Sequence, residues 1–156
     1  MILRAEDLVK LLNISETDID VSGLKLTVFK IYRVKGKGII SLDSKEIPSY
    51  EEVPLVANKL YTLQQGAYVV RYAEEVRIPE DCIALAFPRS SLLRMGATLH
   101  TAVWDPGYRG RGIGLLVVYN PYGIIIEKGA QIGQLIFIKM VGKIKRLYSG
   151  TYQGER

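Results

Sequence analysis

The sequence is poor in the residues that build disulfides and metal centres. Its 156 residues include one cysteine, Cys82, and one histidine, His100. A single cysteine cannot form an internal disulfide, and no cysteine and histidine cluster has the spacing of a zinc site. Because no second ligand lies near it, His100 is predicted to be structural. The default expectation is a cytoplasmic protein.

Long apolar runs and charge clusters are also missing. No apolar segment approaches the ~20 residues that cross a bilayer, and the N-terminal "MILRAEDLVK" carries acids where a signal peptide is apolar. The net charge is +5, from 21 basic and 16 acidic residues. The basic residues form no run of five or more, so we expect neither a membrane segment nor a nucleic-acid partner.

Length and composition suit one globular domain over residues 1–156. Hydrophobic residues make up 48% and charged residues 24%, which is ordinary for a folded chain. The end of the chain, "SGTYQGER", is Gly-punctuated and too polar to pack. We therefore predict a flexible C-terminal arm over about 145–156.

Short apolar runs bounded by Gly, Pro or Asn dominate the rest of the chain. "LKLTVFKIYRV" alternates apolar and polar residues, which is typical of a strand. Six further runs follow: "AYVVRYAEEVRI", "CIALAFP", "ATLHTAV", "GLLVVYN", "GIIIEKG" and "QIGQLIFIKM". Such punctuation predicts an all-β barrel or double-sheet jelly roll. The polar stretch "DSKEIPSYEEVP", residues 43–54, is predicted to be a loop.

Two segments have helical character. "RAEDLVKLLN", residues 4–13, spaces its leucines and Val9 for a short amphipathic helix. "SSLLRMG", residues 90–96, predicts a single turn that Ser90 or Ser91 caps and Gly96 ends.

The segment "FPRSSLLRMG" has the chemistry of an anion site. Arg89 can hold a phosphate through two parallel hydrogen bonds. Ser90 and Ser91 follow at the start of a helical turn with free N–H groups, and Arg94 lies about one turn later. A capped turn with two solvated arginines explains the same residues equally well, so both interpretations stay open here.

The segment "VWDPGYRG" joins turn formers to reactive side chains. In Asp105-Pro106-Gly107 the Asp bonds its own backbone, Pro fixes φ, and Gly permits a positive φ. Taken alone, turn chemistry explains this segment better than function does. In the functional interpretation, a rigid Asp105 takes a proton from water and the Tyr108 ring lies against a sugar.

Two further polar sites allow two interpretations each. Gln134 lies in the apolar run "GAQIGQLIF", so either the sheet or a ligand has to satisfy its amide. The tail contains Tyr148, Tyr152 and Gln153, and it is either a frayed terminus or an arm that closes over a ligand.

Four motifs in this order resemble the dUTPase and dCTP deaminase superfamily, and most closely its archaeal-type dUTPases. "PRSSLLRMG" is similar to the second motif, "VWDPGYRG" to the third, "GAQIGQLIF" to the fourth and "YQG" to the C-terminal one. The resemblance covers about residues 20–154. It implies a distorted jelly-roll barrel, a homotrimer with active sites between subunits, and Mg²⁺-assisted hydrolysis of dUTP to dUMP and pyrophosphate.

The resemblance also implies a role for each matching residue. Asp105 corresponds to the acid that activates or orients the attacking water, and Tyr108 to the aromatic that stacks on deoxyribose. The remaining substrate-binding positions are Arg89, Ser90, Ser91 and Arg94 at the phosphates, Gln134 near them, and Tyr148 and Gln153 in the closing tail.

The deaminases of the superfamily carry a Glu on the strand after the third motif, three residues before an Asn. Counting back from Asn120 in "GLLVVYN" gives Val117, which cannot transfer a proton. Hydrolysis of dUTP is therefore favoured. The alternatives are a dCTP deaminase, alone or bifunctional, and a non-catalytic deoxynucleotide-binding trimer.

Two positions depart from the family pattern. The first motif here reads "GLKLTV", with Lys25 where an acid usually helps to hold hydrated magnesium, and Asp18 and Asp20 are offset by several residues. Lys25 either binds phosphate directly or weakens metal binding, so the metal ligands stay undetermined. Thr151 stands where related tails often have Lys.

Overall fold

The computed structural model describes residues 1–156 and is mostly β-structure. Its elements, in chain order, are α1 (Ala5–Leu12), a 3₁₀ helix (Glu16–Asp18), β1 (Ile19–Asp20), β2 (Gly23–Lys35), β3 (Ile39–Ile40), β4 (Lys45–Glu46), β5 (Ser49–Glu52), β6 (Leu60–Leu63), β7 (Gly66–Tyr72), β8 (Val76–Arg77), β9 (Cys82–Pro88), α2 (Ser90–Arg94), β10 (Ala97–His100), β11 (Arg109–Gly110), β12 (Ile113–Val118), β13 (Ile124–Glu127) and β14 (Gln131–Lys139).

The main sheet has the strand order β10-β12-β7-β2-β14-β9, with antiparallel pairing throughout. The outer strands β9 and β10 contact each other, so the sheet nearly closes on itself. Small ladders, β11 with β8 and β13 with β6, complete the shell. The predicted all-β jelly-roll architecture with two short helices is confirmed.

Strand β2 links the two halves of the sheet, because it pairs first with β14 and then with β7. The alternation of buried and exposed side chains along it shifts by one residue between these two parts. Leu24, Leu26 and Val28 are buried on one face. Leu24 and Leu26 pair with β14, and the N–H of Val28 is bonded to the carbonyl of Ala130, just before β14. The register against β7 shifts between Val28 and Lys30, and Ile31 is then fully buried. Such a bulge lets one strand bend from one partner to the other while its apolar side chains stay in the core.

Helix α1 forms where its leucine spacing predicts it. Leu8 is completely buried in the core, whereas Leu11 is half exposed. Asn13 ends the helix in the left-handed region, with its N–H bonded to the Val9 carbonyl. Burial of one leucine contributes about 1.5–3 kcal/mol, so the helix is held by packing rather than by propensity.

Helix α2 begins differently from the prediction. The N-cap is Arg89, no side chain caps the helix, and neither Ser90 nor Ser91 has that role. The Arg89 N–H is bonded to the Ile132 carbonyl at 2.9 Å, because the chain enters the helix directly from a paired strand. Gly96, with φ +75°, follows the helix as predicted.

The predicted loop over residues 43–54 is wrong, because it contains β4 and β5. Strand β5 pairs with the far end of β2, where Lys30 and Lys35 meet Glu52 and Glu51 at 2.8 and 3.3 Å. Both faces of β5 are exposed, so no apolar alternation marks it. Opposite charges across the ladder stabilise it instead.

The C-terminal residues contain no helix or strand, yet they are bonded to the barrel. The N–H of Tyr148 donates to Pro106 O, and that of Gly154 to Arg109 O, each at 2.8 Å. The Arg111 N–H in turn donates to Glu155 O at 2.7 Å. Side-chain polarity suggested that this segment could not pack, but it docks through backbone groups. Its mobility stays a prediction.

Cys82 is buried at the start of β9 and is free, and burial raises the pKa of its thiol to about 11. Neither helix has the length and apolar character needed to cross a membrane.

Candidate functional site

The turn at Asp105 is held from several sides. Trp104, just before it, exchanges two backbone hydrogen bonds with Ala84 of β9, at 2.9 and 3.0 Å. Gly107 adopts φ +78° and donates to Ile78 O at 3.1 Å. The Tyr108 N–H closes the turn on the carbonyl of Asp105 at 3.1 Å. The turn is therefore a rigid platform.

The carboxylate of Asp105 has no hydrogen-bond or ion-pair partner in the chain and is exposed. The expectation that this side chain bonds its own backbone is wrong, because the Asp105 carbonyl closes the turn instead. A structural Asp in a turn normally uses its side-chain oxygens locally. Here both oxygens are free to bind a water molecule or a ligand.

Asp105 lies at the edge of a cavity of about 590 Å³. Nine of the 15 lining residues are hydrophobic, and the cavity suits one small ligand with flat, apolar parts. Its polar residues include His100, Thr101 and, from the arm, Glu155. His100 is exposed at this wall rather than buried in the core.

Two glycines of β12 and its approach shape the cavity wall. A Cβ on Gly112 would lie 2.3 Å from the Trp104 ring, and one on Gly114 would lie 2.1 Å from the Tyr72 hydroxyl. Only glycine fits at either position, because both aromatic side chains are buried. The missing side chains therefore let the Trp104 and Tyr72 rings pack directly against this wall.

Tyr108 lies in a row of aromatic rings. Its ring meets Trp104 edge-on, with the centroids 5.4 Å apart, and Tyr148 of the arm with the centroids 5.5 Å apart. The side chain is only 7% exposed, and burial raises the pKa of its hydroxyl to about 12. Tyr108 lines the cavity, and its stacking on a sugar stays a prediction.

The arm brings two predicted residues to the Asp105 turn. Tyr148 packs on Tyr108, and Gln153 bonds the backbone of Gly107 and Arg109, on both sides of Tyr108. Farther along, Glu155 forms an ion pair with Arg71 at 3.1 Å. Burial raises the pKa of the Glu155 carboxyl, although Arg71 opposes that shift.

Arg89 lies in a second polar group. Its Nη1 atom donates to Oδ2 of Asp20 at 2.6 Å and to Oε1 of Gln131 at 2.5 Å. The Gln131 amide nitrogen donates to the same Asp20 oxygen at 3.1 Å. The backbone N–H of Val21, the Gln131 amide and Arg89 all lower the pKa of the Asp20 carboxyl.

Sequence reasoning missed Gln131 and set Asp20 aside as out of register. The repeated glutamine in "GAQIGQLIF" was the available signal for Gln131. No local pattern marks Asp20, because a hairpin between β1 and β2 brings it to Arg89.

The other predicted phosphate residues are spread around this group. The amide oxygen of Gln134 accepts from the N–H groups of Gly23 (2.9 Å) and Ser22 (3.0 Å) once the amide is oriented to satisfy them. Lys25 donates its Nζ proton to Thr17 O at 2.7 Å rather than joining Arg89. The remaining residues, Ser90, Ser91 and Arg94, are exposed on α2.

One chain does not bring the Arg89 group and Asp105 together. Ala84 of β9 and Trp104 face each other in an antiparallel bridge. From this bridge, β9 runs five residues to Arg89, and the other segment runs one residue in the opposite direction to Asp105. At ~3.3 Å per residue this places the two residues about 20 Å apart. The cavity that Asp105 lines accordingly contains none of the Arg89 group.

The wall next to the cavity has no acid where a deaminase would have one. Val117 pairs with Thr98 and Ala67 inside the sheet, and Leu115 is the β12 side chain farthest along the cavity wall. The acids that line the cavity are Asp105 and Glu155, and Glu155 is paired with Arg71.

The carboxylates of the chain do not form a metal cage. No group of three or more His, Cys, Asp or Glu side chains is arranged to hold a metal ion. Asp105 has free oxygens, whereas Asp20 is engaged by Arg89 and Gln131. The donor set fits a cation held mostly by ligand oxygens and water, with one or two carboxylates nearby.

Known proteins are similar to this chain over most of its length. A model of the dCTP deaminase-like family matches residues 3–140. A probable deoxyuridine 5'-triphosphate nucleotidohydrolase of Methanosarcina mazei is 43% identical over 143 residues, which is 90% of this chain and 84% of that protein. The deoxyuridine 5'-triphosphate nucleotidohydrolase of Methanocaldococcus jannaschii is 41% identical over 145 residues, 91% of each chain. A probable one of Aeropyrum pernix is 41% identical over 137 residues, 88% of this chain and 86% of that protein.

A solved structure has the same fold. The 2'-deoxycytidine 5'-triphosphate deaminase of Agrobacterium tumefaciens superposes with a TM-score of 0.64 at 19% sequence identity. The match covers 87% of this chain but only 47% of the deaminase, so this chain spans about half the length of the deaminase. At this identity the likeness concerns the fold alone.

Proposed function

The chain belongs to the dCTP deaminase-like family, and from that premise we propose that it is a dUTP diphosphatase of the archaeal type, which converts dUTP and water to dUMP and pyrophosphate. Relatives named as deoxyuridine 5'-triphosphate nucleotidohydrolases, 41–43% identical over about 90% of the chain, support this activity. The structural observation that carries it is the free carboxylate of Asp105, on a rigid turn beside a cavity whose β12 wall has no acid.

In this reaction Asp105 acts on water and the other residues position the substrate. The carboxylate accepts a proton as the water oxygen bonds to the α-phosphorus, and the bond from that phosphorus to the bridging oxygen breaks with release of pyrophosphate. Tyr108 holds the deoxyribose, and Arg89 and Arg94 hold the triphosphate in line. Phosphoryl transfer needs little from a protein beyond such positioning and charge stabilisation.

Mg²⁺ is the proposed cofactor. It binds phosphate oxygens, keeps several waters and needs only one or two carboxylates, which fits the absence of a protein cage here. When bound it neutralises charge on the triphosphate. Asp105 is the carboxylate with free oxygens for its water shell, whereas Asp20 is engaged by Arg89 and Gln131 and Lys25 is bonded to Thr17.

We further propose a homotrimer with its active sites between subunits. A nucleotide is too short to bridge about 20 Å between Asp105 and Arg89 of one chain, given strands that rise ~3.3 Å per residue. A complete site then takes Asp105 from one copy and Arg89 from another, and closed cyclic assemblies supply such pairs.

Residues 1–156 act as one domain in the cytoplasm, without a nucleic-acid partner.

One experiment separates the candidate functions. The purified protein is incubated with dUTP or dCTP, with and without Mg²⁺, and the products are resolved. We expect dUMP and pyrophosphate from dUTP only. Ammonia or a uracil product from dCTP would establish the deaminase alternative, and dUTP that binds but survives would establish a non-catalytic deoxynucleotide-binding trimer.

A second experiment tests the shared site. We expect Asp105→Asn and Arg89→Ala each to lose most of the activity alone, and activity to return after mixing and subunit exchange. Heterotrimers then contain some sites with both native residues. A mixture that stays inactive, although mass spectrometry shows mixed trimers, would place both residues in the same chain's site.

A further inference from the structure

We infer that Asp20 and Gln131 are positioning residues for Arg89, holding its guanidinium so that one edge is presented to the substrate phosphates. This inference rests on the proposed function only for the identity of the substrate. Asp20 occupies no position of the family motifs in this chain, and Gln131 was not among the predicted site residues.

The contacts on Arg89 are confined to one corner of the guanidinium. Nη1 is bonded to both Asp20 and Gln131, whereas Nη2 and Nε make no hydrogen bond within the chain. The Arg89 side chain is 40% exposed. A guanidinium binds phosphate best through two parallel N–H groups, and the edge formed by Nε and Nη2 is free to do so.

Asp20 is itself fixed by its neighbours. Its Oδ1 accepts from the Val21 N–H at 2.9 Å. The turn that follows is bound by Gln134, whose amide oxygen accepts from Ser22 and Gly23. A Cβ on Gly23 would lie 2.2 Å from the Leu135 carbonyl oxygen, so β2 and β14 approach as closely as only glycine allows.

These contacts give Gln134 a role at a distance. Gln134 binds the turn, the turn holds Asp20, and Asp20 holds Arg89, while Gln131 on the same strand contacts both Asp20 and Arg89. An arginine side chain that is already ordered loses less entropy when it binds phosphate. The Asp20 carboxylate bonds Nη1 only, so it leaves the phosphate-binding edge open.

The test uses Asp20→Asn, with Glu16→Gln as the matched control. Glu16 is exposed on the nearby 3₁₀ helix and its loss removes the same charge without touching Arg89. Binding of α,β-imido-dUTP and of deoxyuridine is measured by calorimetry. For Asp20→Asn we expect about tenfold weaker binding of the imido nucleotide, unchanged binding of deoxyuridine, and a KM for dUTP that rises with little change in kcat.

A double-mutant cycle separates positioning from a general structural effect. In an Arg89→Ala background, Asp20→Asn should cause no further loss of imido-nucleotide affinity. Gln131→Leu removes one Nη1 contact without altering the turn and should weaken binding in the same direction. If Asp20→Asn does not fold, the affinity of Gln131→Leu for the imido nucleotide tests the positioning of Arg89 in its place.

Three results would overturn the inference. They are equal affinity of Asp20→Asn and wild type, tighter binding by Asp20→Asn, which would mean that Asp20 competes with phosphate, and an undiminished loss in the Arg89→Ala background. If the wild-type protein binds the imido nucleotide but leaves dUTP intact, the proposed function is wrong. The affinity comparison still decides the role of Asp20 in that case.

Discussion

The amide nitrogen of Gln153 donates to the carbonyl of Gly107 at 3.0 Å, and so ties the C-terminal arm to the turn that presents Asp105. The amide oxygen of the same side chain accepts from the Arg109 N–H, also at 3.0 Å. One side chain thus bonds the backbone on both sides of Tyr108. The arm and the Asp105 turn behave as one unit for as long as these bonds hold.

Gln153→Ala should loosen the arm without disturbing the barrel. Two hydrogen bonds of about 0.5–1.5 kcal/mol each are lost, so we expect kcat/KM for dUTP to fall about tenfold and proteolysis within the arm to accelerate. Steady-state kinetics and limited proteolysis measure both. Gln65→Ala, at an exposed position between β6 and β7, should change neither. An intact kcat/KM would mean that arm docking is irrelevant to catalysis.

Asp105→Asn should lower kcat by at least ~10², the size expected for a lost general base, while dUTP binding stays nearly unchanged. Because the carboxylate makes no bond in the folded chain, Tm should not fall either. Pyrophosphate release measures kcat, calorimetry measures dUTP binding, and thermal melts measure Tm. Asp43→Asn, an exposed acid of the turn between β3 and β4, serves as control. The assignment of Asp105 fails if kcat is unaltered.

Glu74→Gln should raise Tm at neutral pH. Burial raises the pKa of this carboxyl above 4.5, even though Thr27 donates to it from its N–H at 2.9 Å and from its hydroxyl at 2.6 Å. The folded chain therefore binds the proton more tightly than the unfolded chain. This contribution to stability is complete below pH 4.5 and is lost as the pH rises through the folded value.

Glutamine mimics the protonated form, and the Thr27 hydroxyl can accept from its amide. We expect Glu74→Gln to melt a few degrees higher than wild type at pH 7.5, with the difference vanishing at pH 4. The control is Glu75→Gln, because the Arg109 guanidinium lowers the pKa of the Glu75 carboxyl. A pH-independent difference for Glu74→Gln would contradict this account.

Tyr72→Phe should be neutral or stabilising, because the Tyr72 hydroxyl is buried without a hydrogen-bond partner. Removal of an unsatisfied buried group costs nothing, whereas removal of a bonded one costs about 1 kcal/mol. Tyr68→Phe is the matched comparison: its hydroxyl donates to Gln64 O at 2.9 Å, so this variant should unfold more easily. Urea denaturation of both variants provides the measurement. Equal destabilisation would show that Tyr72 has a partner, such as a bound water.

Local sequence patterns predicted most of the barrel. Alternation in β2 and the Gly, Pro and Asn boundaries of the later runs place strands where the structure has them. The patterns failed for β5, which is exposed on both faces and is held by cross-strand charge. They also failed at the start of α2, where pairing of β9 with β14, rather than a serine cap, fixes the chain.

The candidate site was predictable only in part. Asp105 and Tyr108 stand out because their turn chemistry is local. Asp20 and Gln131 are 111 residues apart along the chain, and only the closure of the barrel brings them to Arg89. The same closure keeps Arg89 and Asp105 of one chain in separate groups, and no local pattern in the sequence reveals that separation.

The single thiol of Cys82 is a natural probe of local opening of the barrel, because it is buried in the folded chain. The strand that begins with this buried cysteine ends immediately before Arg89, and its thiol has a pKa of about 11. Because Cys82 is buried and pairs with Lys139 at one end of the β9–β14 ladder, a thiol reagent reacts when that end opens, and the labelling rate reports the free energy of this opening. If a bound nucleotide slows the labelling, the change in rate measures how much the nucleotide stabilises the pairing of β9 with β14.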